Sequence, residues 1–129
     1  MNAAAAAPAD AGTRLAVDRT RLAFERTMMA WVRTSTSLIS FGFTIHKFFQ
    51  FRVDQAQPTV HRVLGPGEFG GIMVAIGLVA LALASFDHRR SLQQLRAQYG
   101  PQPYSTAAAI GVLIFSLGIV SLAAMLFGV

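Results

Sequence analysis

Residues 69–86 read FGGIMVAIGLVALALASF, 18 consecutive positions without an ionisable side chain. Roughly that many uncharged, mostly apolar residues mark a helix long enough to cross a bilayer. The same reading holds more strongly downstream. No charged residue follows Arg96, so the last 33 residues carry no charge, and 106–127 is their natural span. Upstream, 30–49 is a third apolar segment, but it is rich in hydroxyls: Thr34, Ser35, Thr36, Ser37, Ser40 and Thr44. Arg33 lies one turn inside its start and Lys47 near its end, while Trp31 and the group Phe48, Phe49 and Phe51 suit the two membrane interfaces. The expected fold is an all-α membrane protein with three transmembrane helices, preceded by a basic amphipathic N-terminal helix.

Composition agrees. Hydrophobic residues make up 53% of the chain and charged residues 13%, against about 25% charged in soluble domains. Such a chain lacks the polar surface to cover a water-soluble globule. The 129 residues suffice for one domain, read here as 13–129 behind a disordered tail at 1–12. That tail holds no basic residue and no strong apolar core, so it is not read as a signal peptide. The absence of cysteine excludes disulfides, thiolate catalysis and cysteine-bound metal. The net charge of +5 needs no nucleic acid to explain it, because membrane proteins collect arginine on their cytoplasmic side; nucleic acid is not an expected partner.

Residues 13–29 form the expected N-terminal helix, with Thr13 as a fitting N-cap. Leu15, Arg19, Leu22, Arg26, Met29 and Arg33 recur every three or four positions and share one face, with Val17, Phe24 and Trp31 opposite. This helix can lie among lipid headgroups or pack on its neighbours. A polar loop follows the first span over 50–68, punctuated by Pro58 and Gly65-Pro66-Gly67. Gly71 with Ala75, and Ala80 with Ala84, are small pairs that permit close helix approach; Gly111 and Gly118 share a face of the third span. Charge returns over Asp87–Arg96, before Gly100, Pro101 and Pro103 break the chain. Seven arginines (Arg14, Arg19, Arg21, Arg26, Arg89, Arg90, Arg96) flank one membrane face, against Lys47, Arg52 and Arg62 on the other. The excess sets the N-terminus in the cytoplasm and the C-terminus outside.

The most specific local pattern is a dipeptide repeat: Arg19-Thr20, Arg26-Thr27 and Arg33-Thr34, seven residues apart. On a helix this is a guanidinium ladder with about 10 Å between steps. It reads either as an anion-binding stripe, since guanidinium suits phosphate, or as a basic helix meeting anionic lipid with Arg33 snorkelling to the surface. Residue physics alone favours the second. Asp18 is within helical reach of Arg14 and Arg21, and Glu25 of Arg21; the plain reading is surface pairing, the sharper one that Glu25 positions Arg26 or an arginine of a neighbouring chain. Asp87, His88, Arg89 and Arg90 build either a basic mouth or an ordinary positive-inside loop. His46 reads as an interfacial histidine, and no second histidine or carboxylate has metal-ligand spacing to it. No catalytic motif is present, so neither enzymatic activity nor a cofactor is expected.

The stretch Leu22-Ala23-Phe24-Glu25-Arg26-Thr27-Met28-Met29-Ala30-Trp31-Val32-Arg33-Thr34 resembles the signature of the YidH-like family, domain of unknown function 202, which reads approximately L-A-x-E-R-T-x-L-A-W-x-R-T. Met29 stands where leucine is usual. The resemblance extends over about residues 14–127. That family is similar to the small membrane subunit of the fungal vacuolar transporter chaperone complex, which makes and translocates polyphosphate. There, three-helix subunits surround a pore with basic residues at its cytosolic entrance. The resemblance implies that role for Arg26 and for Arg89 or Arg90, with Glu25 positioning them. Arg33 has no counterpart in the relative. These residues hold no polymerase or polyphosphate-binding domain, so polyphosphate synthesis is not implied.

The leading expectation is therefore an oligomeric inner-membrane protein that self-associates through small-residue helix faces. Its cytoplasmic arginines (Arg19, Arg26, Arg33, Arg89 and Arg90) would bind phosphate-rich anions such as polyphosphate, or anionic lipid, at the mouth of a pore. The rival is a non-conducting accessory subunit that anchors a partner in a larger membrane complex. A third reading is an amphipathic-helix lipid sensor.

Overall fold

The computed structural model describes residues 10–53, 65–101 and 103–128. Three helices account for nearly all of them: α1 (Ala11–Val53), α2 (Pro66–Tyr99) and α3 (Thr106–Phe127). The chain is all-helical, as its hydrophobic runs predict.

The expected N-terminal helix and the segment at 30–49 are one element. No glycine or proline interrupts 13–41, so nothing breaks the ladder of backbone bonds, and α1 runs unbroken for 43 residues. It starts two residues before the expected Thr13. Asp10 precedes it, and the Asp10 carbonyl accepts from Arg14 N–H at 3.1 Å; Thr13 sits inside the first turn rather than at the cap. Most of the expected loop at 50–68, with Pro58 and Arg62, falls outside the described residues. At its end, Gly65 is the N-cap of α2 and Pro66 occupies the first turn, where a missing N–H costs nothing. Glu68 reaches back to accept from Gly65 N–H at 3.0 Å.

The residues after Phe86 depart from expectation. The return of charge over Asp87–Arg96 predicts the flank of a loop, yet α2 continues through these residues to Tyr99. The arginines, glutamines and leucines there are good helix formers, and nothing stops the helix before Gly100, whose φ of 90° suits glycine. The third span matches expectation: α3 covers Thr106–Phe127. Its N-cap is Ser105, which accepts from Ala108 N–H.

α1 and α2 pack antiparallel, and α3 runs beside α1. Their closest approach is at Gly42 and Gly70. A Cβ on Gly70 would stand 2.5 Å from the Gly42 carbonyl oxygen, and one on Gly42 2.6 Å from the Gly70 carbonyl oxygen. Gly77 lies against Ser35 and Ile39, Gly111 against Met28, and Gly118 against Leu78 and Ile39. Between these contacts run two apolar layers. One holds Ile39, Val74, Leu78 and Met125, and the other Met28, Val32, Leu81 and Ala107. The small residues expected to draw helices together thus sort differently: Gly70 and Gly77 make the seam, while a Cβ on Gly71 would meet open space.

Among the described residues, α2 and α3 are long and apolar enough to cross a membrane. Little of either apolar window is buried in the chain, 28% for α2 and 11% for α3, whereas the core helix of a soluble protein is mostly enclosed. Leu83, Leu113, Leu117 and Val120 all face outward. This is the surface of a small membrane protein.

α3 has 22 residues, about 33 Å at 1.5 Å per residue, close to the ~30 Å hydrocarbon thickness of a bilayer. The longer α1 and α2 extend past its N-terminal end as a two-helix projection. There Thr20 and Phe24 of α1 share a cleft with Ser91, Gln94, Leu95 and Gln98 of α2.

Candidate functional site

The start of α3 is where the arginines gather. Glu25 of α1 and His88 of α2 define one level of the bundle, because each bonds the first residues of α3. Glu25 Oε2 accepts from Ala107 N–H at 3.3 Å. His88 Nε2 lies 3.0 Å from Ser105 Oγ, and Ser105 Oγ accepts from Ala108 N–H at 3.2 Å. A helix N-terminus presents unsatisfied N–H groups and the positive end of the helix dipole; here a carboxylate from α1 and the hydroxyl of α3's own cap accept from two of them, and His88 of α2 holds the cap. His88 is 5% exposed, so its hydrogen bond to Ser105 is what makes its burial affordable.

The acidic residue thus has a different partner from the arginines within its helical reach. Arg21 donates from Nη2 to the Tyr104 carbonyl at 3.5 Å. The remaining oxygen of Glu25, Oε1, and Arg21 Nε are both buried without a hydrogen-bond partner. The hydrogen bond that Glu25 makes is thus to one amide of α3.

From this level the arginines run in two directions. Arg26 and Arg33 line a cleft between α1 and the start of α3, with Met29, Ala30, Thr106 and Ile110. Arg89 and Arg96 line a second cleft between α2 and α3, with His88, Gln93, Tyr104 and Ser105. Both pairs are seven residues apart, about 10 Å along a helix. Because α1 and α2 are antiparallel, Arg33 lies that far toward the apolar body of the bundle and Arg96 that far toward the projection. The two pairs together form one basic column past α3's first turn.

Two predicted residues stand elsewhere. Arg19 is exposed on the projection, a further seven residues out, and lines neither cleft. Arg90 turns the other way, its guanidinium 6.0 Å from the Phe86 ring centroid. The residues that sequence reasoning missed are Arg96 as a site residue, Ser105 as a cap, and the buried pairing of His88. Pro103 before a serine and an uncharged run was a capping signal in the sequence; the partner across α2 was not.

The threonines of the dipeptide repeat serve their own helix. Thr20, Thr27 and Thr34 donate to the carbonyls of Ala16, Ala23 and Ala30 at 2.9, 3.0 and 3.1 Å. Ser37 and Thr44 do the same toward Arg33 and Ser40. Hydroxyls bonded in this way are tolerated against lipid. Ser35 is the exception: it is fully buried against α2, and its hydroxyl has no hydrogen-bond partner.

An all-helical chain with two exposed apolar helices and an arginine-rich helix level is a small helical membrane protein. Residues 19–94, more than half of the chain, match the family described as Domain of unknown function (DUF202), and the chain belongs to that family. The match takes in the Glu-Arg-Thr and Trp-x-Arg-Thr motif of α1 and the basic end of α2, and stops short of α3. No curated protein and no solved structure matches the chain.

Proposed function

We propose that the protein binds phosphate-bearing anions at the basic column around the start of α3, on the cytoplasmic side of the inner membrane. The observation that carries this reading is the convergence of Arg26, Arg33, Arg89 and Arg96 on two clefts whose lining holds one acid, Glu25, which α3 already engages. Guanidinium groups left uncompensated at a membrane boundary attract phosphate by charge and by paired N–H donors. In this reading α1 is the third span, from the level of Glu25 to its C-terminal end, and the projection stands in the cytoplasm. Self-association and a pore belong to the same proposal, with the column at the pore mouth. The support for them is indirect: residues 22–34 resemble the YidH-like signature, and that family is similar to a polyphosphate-translocating subunit.

The test is binding of inorganic tripolyphosphate to detergent-purified protein by calorimetry at two salt concentrations. Saturable, salt-weakened binding is expected. Arg26→Ala and Arg89→Ala should each weaken it by roughly tenfold, about 1.4 kcal/mol. No saturable binding by the wild type would end the proposal. Anion flux in proteoliposomes tests the pore separately: binding without flux would leave the site and remove the conduit.

One observation favours the accessory-subunit reading. Leu15 and Tyr99 are exposed on the projection, beyond the part that α3 covers, and Leu22 and Tyr104 are exposed at the two clefts beside it. Apolar residues exposed outside the lipid suit a protein partner. That reading expects a larger membrane protein to co-purify stoichiometrically, and to be lost on Leu15→Glu or Leu22→Glu.

A further inference from the structure

The two clefts share charge and differ in the polar groups beside it. In the α2–α3 cleft the deeper arginine, Arg89, and the outer one, Arg96, are accompanied by Gln93, Tyr104 and the buried polar pair His88 and Ser105, together with Leu92 and Ala108. In the α1–α3 cleft, a space of about 400 Å³, Arg26 and Thr106 stand at the level of α3's first turn. Met29, Ala30 and Ile110 form the wall on the apolar side, and Arg33 follows below them. We propose that the α1–α3 cleft is a binding site for a single anionic phospholipid, its phosphate held between Arg26 and Arg33 and its acyl chain along Met29 and Ile110. The inference rests on the anion-binding reading above and names the ligand of one half of that site.

Three arguments carry it. First, the cleft is amphiphilic along the bundle axis, basic at the end of α3 and apolar beside it. A wholly hydrophilic anion would be set against the apolar Met29 and Ile110 at membrane depth, whereas an acyl chain matches that wall and lets its phosphate stay at the basic end. Second, Arg33 lies about 10 Å below Arg26, deep for a charge beside an apolar wall. Long basic side chains in that position turn toward the headgroup zone. A phosphate at Arg26 gives Arg33 an anion to turn to, and the two guanidinium groups approach it from opposite sides. Third, the cleft keeps a net positive charge, because its lining sets two arginines, Arg26 and Arg33, against the single acid Glu25, one oxygen of which accepts from Ala107 N–H.

The experiment uses the full chain in nanodiscs of phosphatidylcholine containing a minority of phosphatidylglycerol, released into detergent and weighed by native mass spectrometry. Retained phosphatidylglycerol is compared among wild type, Arg26→Gln, Arg33→Leu and Arg52→Gln, the last at the opposite end of α1. Circular dichroism checks that each variant stays helical. The expected result is a retained phosphatidylglycerol in the wild type and in Arg52→Gln, at least tenfold less in the two cleft variants, and no displacement by tripolyphosphate. Equal retention in all four proteins overturns the inference. Displacement by tripolyphosphate also overturns it, in favour of a free anion, and leaves the anion-binding reading standing. Retention of neither probe defeats both.

Discussion

At Gly42 and Gly70, α1 and α2 meet backbone to backbone; at Glu25, His88 and Ser105, all three helices meet through hydrogen bonds. The first junction depends on having no side chain at all. Its energy is dispersion between closely approached backbones, and it tolerates no added atom. The second depends on side chains of fixed chemistry, two of them ionisable, held where α3 begins. A membrane protein gains little from burying apolar surface against lipid of the same polarity. Close contact and satisfied polar groups therefore do the work that a hydrophobic core does in water. These two junctions show one of each kind, and the arginines gather at the second.

The largest expected effect tests the first junction. Gly70→Val places side-chain atoms where a Cβ alone would stand 2.5 Å from the Gly42 carbonyl and 2.9 Å from His46 N. Both obstacles are backbone, so the helices must part. A loss of about 3 kcal/mol or more is expected, read as a lower midpoint in SDS-induced unfolding from mild detergent micelles. Gly71→Val, next in sequence but in open space, should stay within about 0.5 kcal/mol. Equal losses at the two positions would mean that the seam is misplaced by one residue.

That contrast also shows where sequence reasoning ran out. The three apolar runs, the hydroxyl-rich segment and the start of α3 were legible, because each is a matter of local composition. Which glycines form the seam was not. α2 is apolar all round, so no polar face tells Gly70 from Gly71, and the pairing is decided by α1. The same holds for the site. Arg26, Arg33 and Arg89 were recognisable as basic residues at a membrane edge, and the family motif marks the first two. That Glu25 caps α3, 82 residues away, follows only from the packing. The charges after Phe86 were read as loop because charge ends a span; it does not end a helix.

At the second junction, Ser105→Ala removes a cap and also the partner of buried His88. The cap alone is worth about 1 kcal/mol, and a buried ring nitrogen left unpaired adds about 1–3 kcal/mol. A loss of roughly 2–4 kcal/mol is expected in the same unfolding measurement. His88→Leu made on top of Ser105→Ala should then cost less than His88→Leu in the wild type, since the unpaired nitrogen is gone; strictly additive losses would show that the two residues do not act as a pair. Glu25→Ala should cost less, about 1 kcal/mol, and Glu25→Gln less again, because the amide oxygen still accepts from Ala107 N–H. A Glu25→Gln loss as large as that of Glu25→Ala would make charge, and not the hydrogen bond, the important property.

The smallest expected effect separates both junctions from the outer face of α1. Thr34 is exposed and donates to the Ala30 carbonyl at 3.1 Å, a carbonyl that the helix ladder also uses. Valine has the same shape and the same branching at Cβ, so Thr34→Val removes only a bond that the backbone does not need. Stability should change by less than about 0.5 kcal/mol, and the mass of the detergent-solubilised particle should not change at all. A hydroxyl that bonds its own helix looks inward even when its side chain looks out. If Thr34→Val instead shifted the particle to a smaller mass, that hydroxyl would have a partner on a second copy of the chain. The exposed stripe of Thr34, Ser37 and Thr44 would then count as a third junction, built like the second.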